Sequence, residues 1–96
     1  MTFYQFVHGE LHKRASKCRE TKTQWVYNFP KQVWPYEVRF PKPETRGFKS
    51  LYGYAIGDLA RMYNTKEPWV GLALLAKAYD QEEANYHAPF ENTKTR

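Results

Sequence analysis

Apolar residues follow three different patterns along the chain. From residue 2 to 19, Phe3, Phe6, Val7 and Leu11 recur at three- and four-residue spacing, which predicts a helix with one buried stripe and Thr2 as its cap. Lys13, Arg14, Lys17 and Arg19 cluster at its far end, where cations complement the helix dipole. This element is predicted to occupy residues 1–22, although Gly9 costs about 1 kcal/mol relative to alanine inside a helix and allows a kink or an early stop. From 23 to 40 the pattern changes to β-branched and aromatic residues, among them Trp25, Val26, Tyr27, Val33, Trp34, Tyr36, Val38 and Phe40. That composition predicts two strands joined by a turn over residues 28–32. Pro35 cannot donate to a ladder, so the hairpin is expected to have one open edge.

Residues 41–49 hold two prolines and a glycine among alternating charges and read as an extended connector. Helical spacing then returns over residues 50–86. Ile56, Leu59, Ala60 and Tyr63 mark a first helix with Ser50 as a candidate cap, and Asn64 and Thr65 interrupt the pattern. Pro68 suits the first turn of a second helix, where its missing N–H forfeits no bond. Val70, Leu74 and Ala78, with Leu75 as a further candidate, are expected to face the core, and residues 87–96 read as a frayed tail. The predicted fold class is α+β: a single small domain with an N-terminal helix, a β-hairpin and a pair of helices.

Within residues 54–74, a small residue in the first helix (Ala60), a turn residue four positions on (Asn64) and branched apolar residues further along (Val70, Leu74) resemble the helix-turn-helix family of DNA-binding modules. The resemblance implies a steep helix crossing with a left-handed corner residue, and DNA held by the start of the second helix. Lys66, Glu67, Trp69, Gly71 and Leu72 then take the reading positions. The match departs from the family's needs at Gly71, which has no side chain, and at Leu72, which cannot donate to a base edge.

Charge changes this picture. Residues 1–49 carry ten Lys or Arg against four Asp or Glu, a balance of +6, whereas residues 50–96 carry five against six, a balance of −1. The basic half is therefore not the half that resembles a helix-turn-helix, and phosphate contact is expected from Lys13, Arg14, Lys17, Lys31 and Arg39 as well as from Lys66. Aromatic content of 18% exceeds what a small core needs, which makes Trp25, Trp34, Tyr36 and Trp69 candidate contact residues. Together these ten residues form the candidate binding set for nucleic acid or for an acidic protein surface.

Three classes of function follow: a DNA-binding or regulatory protein of a bacterium, phage or plasmid; a small inhibitor or adaptor that binds protein through its aromatic, basic hairpin; and a sequence-tolerant nucleic-acid binder. The oligomeric state is open, with a homodimer among the arrangements. No phosphate-binding glycine loop or local nucleophile signature is present, so the chain is expected not to be an enzyme and to need no cofactor. His8 and His12, four apart, together with Cys18, make too small a ligand set to predict a metal site. The single cysteine, the lack of a signal-like start and the lack of a long apolar run predict a cytoplasmic protein that does not enter a membrane.

Overall fold

A computed structural model describes residues 1–30, 36–64 and 66–94. The chain forms α1 (Phe3–Arg14), β1 (Lys17–Glu20), β2 (Gln24–Asn28), β3 (Glu37–Pro41), α2 (Phe48–Tyr63) and α3 (Pro68–Lys94). The three strands make an antiparallel meander with β2 in the centre, and the fold is α+β in one compact unit. No helix among the described residues is long and apolar enough to cross a membrane.

A reciprocal box opens α1. Gln5 N–H donates to Thr2 Oγ1 at 3.1 Å, and the Thr2 N–H donates to Gln5 Oε1 at 2.9 Å, which satisfies two of the free donors at a helix start. The helix passes through Gly9 and stops at Arg14, with Ala15 extended. The expected helix over 1–22 is thus cut short, and its last residues become a strand that the two-strand reading did not contain. β1 pairs with β2 through Cys18↔Tyr27 and Arg19↔Val26. All four of its residues are exposed, so it lacks the apolar alternation by which strands are recognised.

Register assigns the two faces of the sheet. Trp25, Tyr27, Val38 and Phe40 turn toward α1, where His8 stacks on Phe40 at 4.8 Å and lies 4.3 Å from Trp25. Phe6, Val7, Leu11, Tyr27, Val38, Phe40, Ala55, Leu59 and Leu75 form the core between sheet and helices. α2 packs along β3, and β1 is the opposite edge of the sheet.

α2 begins at Gly47, whose φ of 75° is left-handed and suits a residue without a side chain; Ser50, the expected cap, lies inside the first turn. At the other end Asn64 is extended (φ −153°), not left-handed. Its N–H closes α2 on the Ala60 carbonyl at 3.0 Å, and its Oδ1 accepts from the N–H groups of Lys66 and Glu67 at 3.0 and 3.2 Å. The Glu67 carbonyl then accepts the first bond of α3, with Pro68 behind it as anticipated. α3 continues to Lys94, so the backbone of most of the expected tail is helical.

α2 and α3 meet most closely at Ala60 and Gly71. A Cβ built on Gly71 would lie 2.7 Å from the Ala60 carbonyl carbon and nearer still to its oxygen. Tyr52 in α2 and Tyr79 in α3 are both partly buried and pack against the core. The close approach at Ala60 and Gly71, the packing of α2 on α3 and a four-residue connection describe a helical hairpin.

Three tyrosine hydroxyls join the N-terminal segment to the other elements. Tyr4 donates to the Pro41 carbonyl at 2.8 Å, Tyr63 to Glu10 Oε1 at 2.8 Å, and Tyr79 to the Met1 carbonyl at 3.1 Å.

Candidate nucleic-acid interface

The face of the sheet turned away from α1 carries Lys17 and Arg19 from β1, Gln24, Val26 and Asn28 from β2, and Glu37 and Arg39 from β3. Its cations follow from strand parity. Lys17 and Arg19 are two residues apart and so point the same way, about 7 Å from each other, while the register places Arg19 and Arg39 on either side of Val26, about 10 Å apart across two strand spacings. Val26 is fully enclosed, and the three basic side chains around it are exposed.

Lys17 and Arg19 make no ion pair among the described residues. Arg39 lies along the face, its Nε 3.3 Å from Glu37 Oε2 and its Nη1 3.4 Å from Gln24 Oε1. Both partners of the Arg39–Glu37 pair are solvent-exposed. Such a pair is worth only about 0–1 kcal/mol, so a phosphate can displace the carboxylate at small cost. The face thus holds three cations against one carboxylate.

The other members of the sequence-derived set are dispersed. Lys13 and Arg14 both turn back on Glu10, at 2.8 and 3.1 Å, and the Arg14 guanidinium sits 4.8 Å over the Tyr63 ring. Burial raises the Glu10 carboxyl, but hydrogen bonds from Lys13, Tyr63 and Arg14 outweigh it and hold the group below the usual carboxylate range. Trp25 points to the α1 side, half-buried beneath His8, with the Lys42 ammonium 5.2 Å from its ring centre. That ammonium is 2.6 Å from Glu20, whose carboxyl it holds low. Tyr36 is 60% exposed at the entry to β3, whereas Lys31 and Trp34 lie outside the described residues. Lys66 and Trp69 are exposed at the start of α3, on a different element from the basic face. Gly71, a reading position under the helix-turn-helix resemblance, is buried against Ala60.

Arg19 was missed because the cationic run around it reads equally well as the last turn of a helix. The signal that finds it is its even spacing from Lys17 once the segment is read as a strand. On the α1 side, burial lowers the His8 pKa and the nearby His12 lowers it further, which favours the uncharged ring in the stack. No group of three His, Cys, Asp or Glu among the described residues is arranged to hold a metal ion. No family model matches the chain, and no characterised protein or solved structure is similar enough to lend it a function.

Proposed function

We propose that this chain is a small nucleic-acid-binding protein that docks a phosphate backbone on the outer face of its sheet, in a sequence-tolerant manner suited to a DNA-binding or regulatory role. The observation that carries the reading is the shared orientation of Lys17 and Arg19 on β1 and Arg39 on β3, on either side of β2. The concentration of positive charge in residues 1–49 supports it. Val26 in the centre of the face offers no hydrogen bond, and no aromatic ring among the described strand residues points outward for stacking, so affinity rests on backbone contact.

Binding of a labelled duplex and a labelled single strand across a salt series tests this reading. Arg19→Gln, Arg39→Gln and Lys17→Gln should each weaken binding and lower the log–log salt slope by about 1, because each phosphate contact releases about one counterion. Under the helix-turn-helix reading, Lys66→Gln instead dominates and the three sheet variants bind as the parent does. A parent protein that binds neither probe at low salt removes nucleic acid as the ligand and leaves an acidic protein surface as the partner of this face.

A further inference from the structure

Cys18 and Tyr27 are direct partners across β1 and β2, so both side chains turn to the α1 side of the sheet. Their surroundings differ. Tyr27 is fully enclosed, with His8 and His12 edge-on to its ring at 5.8 and 5.9 Å. Its hydroxyl is buried and has no hydrogen-bond partner among the described residues. Native folds seldom leave such a donor unpaired, so the exception asks for a reason. Cys18 beside it is an exposed free thiol. Burial raises the Tyr27 phenol, and the neighbouring Cys18 sulfur raises it further. A thiol sulfur is a weak acceptor, and the contact it offers does not satisfy the hydroxyl.

An oxygen carried on that sulfur supplies the missing acceptor. We propose that Cys18 is a site of reversible oxidation by a hydroperoxide, and that the buried Tyr27 hydroxyl holds the resulting sulfenic acid by donating to its oxygen. In the forward step the thiolate attacks one peroxide oxygen, an S–O bond forms and the O–O bond breaks. The departing oxygen takes a proton and leaves as water or an alcohol, so sulfur loses the two electrons that the peroxide gains. The chain holds no second cysteine, so the sulfenic acid cannot close an internal disulfide. A small thiol restores it in two exchanges. The first forms a mixed disulfide and releases the sulfenic oxygen as water; the second frees the Cys18 thiol and carries the small disulfide away. Lys17 and Arg19 point to the other face of the same strand, so this chemistry is separate from phosphate binding on the outer face of the sheet.

The full chain is oxidised with hydrogen peroxide, the excess is removed with catalase, and the sulfenic acid is trapped at intervals with dimedone and followed by intact-mass spectrometry. A single adduct at Cys18 is expected. Tyr27→Phe removes only the phenol oxygen, and because that hydroxyl has no partner in the reduced protein, the variant should melt no lower than the parent. Its sulfenic acid should decay about fivefold faster, the worth of one ordinary hydrogen bond. Equal decay in the two proteins overturns the assignment, as does a parent in which peroxide yields no dimedone adduct. A Tyr27→Phe variant that melts lower in the reduced state means that the hydroxyl already has a partner, such as a buried water, and overturns it as well.

Discussion

Replacing Gly71 by alanine tests the closest contact in the fold, because two opposing effects of known size act there. Alanine is favoured over glycine inside a helix by about 1 kcal/mol, so with open space the substitution would stabilise α3. The added carbon instead meets backbone, at 2.7 Å from the carbonyl carbon and 3.3 Å from the Cα of Ala60. Backbone cannot rotate aside as a flexible side chain can, so the two helices must separate. That separation also strains the bond by which Asn64 closes α2, since its N–H donates to the same Ala60 carbonyl. Overpacking of this kind costs about 1–3 kcal/mol, and the rigidity of the obstacle argues for the upper end. The net expectation is a loss of about 2 kcal/mol, or roughly 10 °C in Tm for a domain of this size. Gly53→Ala is the internal control: it lies in α2 with nothing within 4 Å of the added carbon and should gain about 0.5–1 kcal/mol. Thermal and urea unfolding followed by far-UV circular dichroism measure both. If the two variants are equally stable, α2 and α3 do not make the close contact described, and the hairpin geometry is wrong.

Two further substitutions test the joints around this hairpin. Glu10→Gln should cost about 1–2 kcal/mol at pH 7, because it weakens the acceptor shared by Lys13, Arg14 and the Tyr63 hydroxyl. Its folded pKa is held below the ordinary carboxylate value, so this stability is present above the unfolded pKa and is lost as pH falls through the folded one; urea midpoints of parent and variant should converge in acid. Asn64→Ala should lower stability by about 1 kcal/mol through loss of the two bonds its side chain accepts, and Asn64→Asp, which keeps the acceptor, should recover most of it in the same unfolding assay.

Periodicity in the sequence was sufficient wherever one face of an element is buried. α2 was legible because Leu59 and Ala60 turn inward at helical spacing, and the start of α3 because Pro68 can occupy only a first turn. β2 and β3 were legible from their aromatic and β-branched residues. β1 was not, since Lys17, Cys18, Arg19 and Glu20 are all exposed and leave no apolar trace of their alternation. The basic face was hidden for the same reason: its members come from strands whose register is set by pairing, which spacing within one segment does not encode. Gly71 shows a different failure. A glycine on a helix is silent in sequence about whether it faces solvent or a neighbouring backbone, and here it faces the backbone.

The three tyrosine hydroxyls have a mechanical consequence. The bonds tie the N-terminal segment, at Met1, Tyr4 and Glu10, to three separate elements, so α3, β3 and α2 are each joined to it by one hydroxyl. Each anchor depends on an intact O–H. Burial raises the phenol of Tyr4, burial and Glu10 raise that of Tyr63, and hydrogen bonding to Glu83 and burial raise that of Tyr79. The O–H groups therefore persist below the ordinary phenol pKa, near 10, and their contribution is lost as pH rises through the elevated folded values. Alkali thus removes all three ties at once and leaves α1 held to the sheet and helices by the packing of Phe6, Val7 and Leu11.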